Sequence, residues 1–445
     1  MHPIPPALIE LLQCPLCASP LQSLTCSNCA TEFVNFDGLL SFMPAGIWQR
    51  NLWQHQLALN HQQAQMGIEL MQAQLERSDL VPATLDRIRE ALAIAEQSLA
   101  SIEGLMARYG LQPEYQEQFQ HLSLGPISEY YHHILQDWAW GDEAIKQRLA
   151  PILAIAPPEP IGTLVALGAG AGRLSWELHQ RLRPAQTLAC DINPLLLAAG
   201  HSLIKKQQGF DFFELNSFPQ IGLARSACFS LPAAHNAEGN NHNWHALAAD
   251  VWHMPLKEHS VDVILTAWFI DVHGGDNRQL IRQIYQWLKP GGLWINSGPL
   301  LYPKNTPLEH KYDRQELLQL ISLAGFSWHA ERLDSQVHLS SPINVRQQTE
   351  QAWTFCARKP TSPNPPPTDL PPAWLIYHQL PVPRCFTPQS DSHPLIERIV
   401  QAVDGTRSIE QLTALTAEFF PDGLDPHSTL VEILGELFRA SAGEG

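Results

Sequence analysis

Four cysteines, a glycine-rich turn and three spaced aspartates are the residues of this chain whose types and spacing suit chemistry. Cys14-Pro-Leu-Cys17 and Cys26-Ser-Asn-Cys29 are two CxxC knuckles separated by eight residues. Such a pair can present four thiolates tetrahedrally, as zinc prefers, and leaves no open coordination position, so the expected metal is structural. The short gap suits a β-hairpin joining the knuckles of a zinc ribbon. The turn Gly168-Ala-Gly170-Ala-Gly172 lies between an apolar run, Leu164–Leu167, and a helical pattern that begins near Leu174. Glycine tolerates positive φ and leaves the backbone open to a ligand. A strand feeding such a turn and then a helix opens a nucleotide-binding βαβ unit, with backbone amides toward the ligand.

The aspartates fall where such a unit needs acceptors. Asp191 follows a strand-like run, Thr187–Cys190, and lies 19 residues beyond Gly172. A carboxylate at the tip of the second strand can accept from both hydroxyls of a ribose. Asp250 closes another strand-like phrase and is placed to take an adenine amine. Asp271 follows Ser260–Ile270, a run of β-formers, at the carboxyl end where open α/β sheets hold ligands. It reads either as a site carboxylate or as a cap of the next helix. Three histidines in the tract His235–His245 invite a metal reading, but their spacing is irregular and a polar surface loop is the simpler one.

The elements that must position these groups alternate. A helix over Asn277–Leu288 stops at Lys289-Pro-Gly-Gly292, and a strand, Leu293–Asn296, follows. That rhythm implies a mainly parallel, doubly covered sheet of the α/β class. Before it, Leu85, Ile88, Leu92, Ala95, Leu99, Ile102 and Met106 form one stripe at helical spacing. After it comes a proline-dense linker, then a stretch at Trp374–Cys385 that reads as extended. Helical patterns near Leu395–Val403, Ile409–Phe419 and His427–Phe438 look like a small winged-helix module. The expected division is a zinc ribbon over 1–45, a helical segment over 46–125, a catalytic domain over 126–360, a linker over 361–390 and a helical module over 391–445.

Composition sets limits. The chain has 445 residues, 44% hydrophobic and 16% charged, and a formal charge of −16. Its acidity argues against a large nucleic-acid footprint, which needs clustered Lys and Arg. No run approaches the ~18 apolar residues of a membrane span. The first residues lack a secretory signal, so a cytoplasmic location is expected. Four clustered and four scattered cysteines do not make a disulfide framework.

The glycine turn, Asp191, Asp250 and Leu288-Lys-Pro-Gly-Gly292 together resemble class I S-adenosylmethionine-dependent methyltransferases, whose Rossmann-like sheet is doubly wound. More narrowly, Gln136-Asp-Trp138, Gly170–Glu177, Trp268–Asp271 and Trp294-Ile-Asn-Ser-Gly-Pro-Leu-Leu-Tyr302 resemble the carnosine N-methyltransferase family over about residues 126–360. The resemblance implies that Gly168, Asp191, Asp250, Val251 and Ala267 line the methyl-donor site, with His133 and Gln136 where the family's helical lid reaches it. It implies that Asp271 holds the substrate imidazole and that Tyr302 helps to bind it. The chain departs from the family at Pro303, where a histidine is usual, and lacks a clear counterpart of the family's tyrosine around Gln348–Trp353. The expected function is methylation of an imidazole or other nitrogen on a small molecule or peptide, with a peptide or protein partner for the C-terminal module. An RNA methyltransferase docked through the ribbon and a non-catalytic donor-binding scaffold are the rival readings.

Overall fold

The protein is described from a computed structural model over residues 4–43, 48–119, 126–156, 160–216, 224–236, 239–361, 393–420 and 424–442, with Leu375, His378 and Val382. The chain divides into two units. The first comprises residues 1–274, 284–314 and 326–361; the second comprises 275–283, 315–325 and 362–445. Among the described residues no helix is long and apolar enough to cross a membrane.

In chain order, a short helix α1 (Pro6–Ile9) precedes strands β1 (Val34–Phe36) and β2 (Leu39–Ser41) and helices α2 (Trp48–Leu75) and α3 (Pro82–Ala107). Then come α4 (Tyr131–Leu135), α5 (Asp142–Ile155), β3 (Thr163–Leu167), α6 (Arg173–Leu182), β4 (Gln186–Asp191) and α7 (Pro194–Ile204). Strands β5 (Phe210–Leu215), β6 (Ser226–Leu231), β7 (Trp244–Ala248) and β8 (Val261–Ala267) lead to α8 (Asn277–Trp287) and β9 (Leu288–Gly298). Helix α9 (Arg314–Leu323) and strands β10 (Ser327–Val337) and β11 (Thr349–Arg358) follow, and α10 (Pro394–Ala402), α11 (Ile409–Thr416) and α12 (Pro426–Ala442) end the chain.

Nine strands form one sheet in the order β1-β2-β7-β4-β3-β8-β9-β11-β10. The run from β7 to β9 is parallel, and β11 is antiparallel to both its neighbours. Every residue of β3 is buried, as a central parallel strand requires. On one face, Leu149 and Ile152 of α5 and Leu178 of α6 pack over Leu164, Val263 and Ile295. On the other, α7 is buried along its whole length. Pro194 opens that helix, and Asn193 caps it by accepting from the amides of Leu195 and Leu196 at 2.9 and 3.0 Å. This is a Rossmann-like, doubly wound α/β sheet with a reversed strand near one edge, the class I methyltransferase arrangement.

Several elements differ from their sequence-based reading. The Lys289-Pro-Gly-Gly292 stop does not separate helix from strand: β9 begins at Leu288, which pairs with Val261. Gly291 donates to Lys359 O at 2.8 Å and Lys359 donates to Gly292 O at 2.9 Å, so the strand end is tied on its other side. The end of the histidine-bearing tract, Trp244-His245, enters β7. No hairpin joins the two knuckles. Each CxxC closes on itself, with Cys14 N donating to Ser19 O and Cys26 N to Thr31 O. The hairpin β1–β2 follows them, and β2 pairs in parallel with β7, extending the main sheet. The apolar stripe does lie on α3, but only Leu99, Ile102, Leu105 and Met106 are buried; Leu85, Ile88, Leu92 and Ala95 are half-buried.

In the second unit, Val382, Ile399, Val403, Ile409, Leu412, Phe420, Leu430 and Leu434 make a small core. Ser408 and Gln411 form a reciprocal capping box at the start of α11. The proline-dense linker beyond Thr361 and the extended reading of Trp374–Cys385 lie outside the described residues, apart from the three single positions named above.

Candidate active site

A cavity of about 480 Å³ opens at the carboxyl ends of β3, β4 and β8. Its floor is the turn after β3. Gly168 and Gly170 have φ of +63° and +57°, the left-handed region that side chains other than glycine avoid. A Cβ on Gly168 would strike the Phe269 ring at 2.4 Å, whereas one on Gly170 would meet no protein atom within 4 Å. The backbone at Gly170 is therefore open to a ligand. Gly172 belongs to the same turn but faces Trp244 and does not line the cavity.

Asp191 locks this turn. Its Oδ2 accepts from Gly170 N at 2.8 Å and its Oδ1 from Asn193 N at 2.9 Å. Burial raises its pKa, and the backbone amides oppose that rise. Each carboxylate oxygen keeps a further lone pair for a ligand hydroxyl. Asp250 begins a short turn after β7, where its Oδ1 accepts from Trp252 N and its Oδ2 meets His253 Nδ1, both at 3.1 Å. Asp250, Val251 and Ala267 all line the cavity.

A helical lid crosses the opening. Helix α4 widens into a π turn over Gln136–Trp140, closed by Gly141, where a Cβ would fall 1.8 Å from Gln136 O. Such π turns recur at functional sites. Trp138 Nε1 donates to Ala171 O at 2.9 Å and pins the lid to the glycine turn. His133 lines the cavity, and burial pushes its pKa down to about 4, so the ring is neutral near pH 7. Gln136 does not line it; its Oε1 accepts from Leu339 N. Asp137 does line it, and burial raises its carboxyl to about 6.

The far wall begins at Trp268, held at φ +50° directly after β8, with its amide donating to Ser297 O at 2.9 Å. Its indole Nε1 donates to Glu350 Oε2 at 2.7 Å, and its ring stacks on His338 with centroids 5.7 Å apart. Asp271 is 5% exposed. Its Oδ2 accepts from Leu301 N at 2.7 Å, while its Oδ1 is buried with no hydrogen-bond partner. Burial raises the Asp271 pKa; the amides of Leu301 and of Asp271 itself oppose this, and the Glu350 charge reinforces it. Tyr302 lies outside the cavity lining, donating to Tyr312 O at 2.9 Å. The structure thus gathers His133, Gly168, Gly170, Asp191, Asp250, Val251, Ala267 and Asp271 at one cavity, and leaves Gln136, Gly172 and Tyr302 beside it. It adds Arg148, His338 and Glu350, which no local motif marks.

Apart from this cavity, Cys14, Cys17, Cys26 and Cys29 bring their sulfurs within 4.8 Å of one another. The Cys14–Cys29 and Cys17–Cys26 separations are 3.6 and 3.5 Å. A tetrahedron of ~2.3 Å Zn–S bonds has edges of about 3.8 Å, so the four thiols fit zinc.

The strand order is that of the Rossmann-like class I methyltransferase fold. Residues 143–360, just under half of the chain, match the family model described as carnosine N-methyltransferase. The carnosine N-methyltransferase of Dictyostelium discoideum is 26% identical over 236 residues, covering 49% of this chain and 50% of that protein. The Rattus norvegicus enzyme is 25% identical over 220 residues, covering 46% and 52%. The chain therefore spans about half the length of the curated relatives it matches. Among solved structures, a SAM-dependent methyltransferase from Methanosarcina mazei is 13% identical with a TM-score of 0.33, covering 48% of this chain and 98% of that one.

Proposed function

We propose that this protein transfers a methyl group from S-adenosylmethionine to a ring nitrogen of an imidazole-bearing small molecule or peptide of the carnosine kind. The observation that carries this is the buried, unpartnered Oδ1 of Asp271 beside the open glycine turn. A buried carboxylate oxygen without a partner is costly, and an imidazole N–H supplies the donor it lacks. The cavity is within the ~300–1,000 Å³ of small-molecule sites.

Asp191 would take the ribose hydroxyls of the donor, Asp250 the adenine amine, and the Gly168–Gly170 backbone its amino-acid end. When bound there, S-adenosylmethionine supplies a methyl group on a positively charged sulfur, ready for in-line displacement. Asp271 fixes the tautomer of the acceptor: by accepting from one ring N–H it leaves the lone pair of the other nitrogen free. The lid and the Trp268 wall hold that nitrogen in line, which is most of what such a transfer needs. The four cysteines would hold a structural zinc, and the helical module at the C-terminus would serve a peptide or protein partner. A cytoplasmic location suits this chemistry.

The test is incubation with methyl-labelled donor and carnosine, other imidazole compounds and RNA in parallel. Label on the imidazole ring supports the reading. Label only on RNA, or donor binding without transfer to any acceptor, overturns it.

A further inference from the structure

Arg148 of α5 is 7% exposed and lines the cavity. Its guanidinium lies 4.2 Å over the Trp268 ring, and one Nη donates to His338 Nδ1 at 2.9 Å. His338 is then the acceptor at Nδ1, consistent with a neutral ring whose pKa burial lowers to about 4. One further donor of the guanidinium has no partner. Arg148 Nε is buried with no hydrogen-bond partner. Asp137 and Glu350 are near enough to favour its charge, yet among the described residues no carboxylate makes an ion pair with it. Glu350 gives its oxygens to Trp268 and Gln348 instead.

A guanidinium stays protonated in proteins and carries five donors in a planar fork. Burying that charge without a paired anion is among the costliest arrangements a fold can hold. Stacking on an indole recovers only part of the cost. A ligand carboxylate in the cavity would answer the unpaired charge.

We propose that Arg148 is a carboxylate-binding subsite of this cavity, receiving the carboxylate of a bound ligand on its guanidinium. This rests on the methyl-transfer reading only for which ligand brings the carboxylate: the amino-acid end of the donor, or the carboxyl end of the acceptor.

Equilibrium binding to the full-length chain tests it, with two matched pairs of probes. S-adenosylhomocysteine against 5′-methylthioadenosine differs by the donor's amino-acid end; carnosine against β-alanylhistamine differs by the acceptor's carboxylate. In Arg148→Met, the carboxylate-bearing member of one pair should lose about tenfold to a hundredfold in affinity, as a charge-assisted hydrogen bond implies, while its carboxylate-free partner is unchanged. Arg148→Lys, which keeps the charge, should fall between. The pair that responds names the source. Equal weakening within both pairs, or no change in either, assigns Arg148 a structural role and overturns the proposal. If wild-type protein binds S-adenosylhomocysteine but no imidazole compound, the acceptor reading fails while the donor pair still decides Arg148. Wild-type protein that binds no member of either pair sinks both.

Discussion

Leu301 donates its amide to Oδ2 of Asp271 at 2.7 Å, and this bond decides what the other oxygen can do. With Oδ2 held by the backbone, Oδ1 is the oxygen left without a partner. An asparagine at 271 would keep its carbonyl on the Leu301 amide and turn its NH2 toward the imidazole, setting donor against donor. Asp271→Asn should therefore lower turnover by about a hundredfold, the scale of losing a positioned acid–base partner. Affinity for S-adenosylhomocysteine should be unchanged. Steady-state rates and calorimetry check both, and full activity in the variant removes Asp271 from the chemistry.

The donor side is separable. Asp191→Ala removes the acceptor for the ribose and the latch on Gly170, and should weaken donor binding by about tenfold or more, given ~1.5–3 kcal/mol for hydrogen bonds to charged groups. Unchanged affinity by calorimetry would dismiss the assigned role.

Gly170→Ala distinguishes a cradle from a mere turn. The added Cβ meets no protein atom within 4 Å, so folding bears only the cost of a left-handed alanine, roughly 1–2 kcal/mol. A bound donor would meet that methyl directly. The variant should melt slightly below wild type yet lose most of its donor affinity. Normal affinity in a folded variant would show that the ligand does not rest on this peptide.

How much of this was legible in the chain follows from range. The glycine turn, Asp191 and Asp271 stand at ends of apolar strands, and that local grammar placed them. Arg148 and His338 are 190 positions apart and meet only because β10 crosses beside α5, so no spacing rule reaches them. Gln136 turned aside for a related reason: the π turn rotates it toward Leu339, and a one-residue widening of a helix leaves no mark in hydrophobic periodicity. The sequence reading puts the ribbon's hairpin between the knuckles; the hairpin instead follows them, because Leu39 and Leu40 bury their side chains and β7 offers β2 an open edge to pair with.

Acid should destabilise the first unit through its buried histidines. His133 and His338 are lowered to about 4, His201 and His245 to about 3, each mainly by burial. A depressed folded pKa means that the unfolded chain takes the proton first. Stability is then full above about 6.5 and falls as pH drops toward 4, by about 1.4 kcal/mol per pH unit for each proton. Asp137, raised to about 6, works in the opposite direction over part of this window, and Asp191 and Asp271 share its sign. Four histidines against these carboxyls leave a net loss on acidification. Denaturant unfolding at pH 7 and pH 5 should show it, and His201→Gln should flatten the slope by about one proton. Equal stability at both pH values, or an unaltered slope in the variant, contradicts this account.

Metal removal tests the other end of the sheet. If the four cysteines hold one zinc per chain, chelation should release one equivalent and let the knuckles open, since their own backbone closures are few. The effect should then travel along the pairing. Strand β2 meets β7 at Leu40–Leu247 and Ser41–Ala248, and Phe42 N donates to Ala248 O at 2.8 Å. Hydrogen exchange should rise over the knuckles and β1–β2 and at the edge of β7. The turn from Gly168 to Gly172, on the central strand β3, should stay protected. Donor affinity should fall only modestly, through Asp250, which stands two residues past the end of β7. Cys17→Ser with Cys26→Ser should reproduce the pattern without chelator. Unchanged exchange in β1 and β2 after complete metal loss would show that the hairpin is held by the sheet alone.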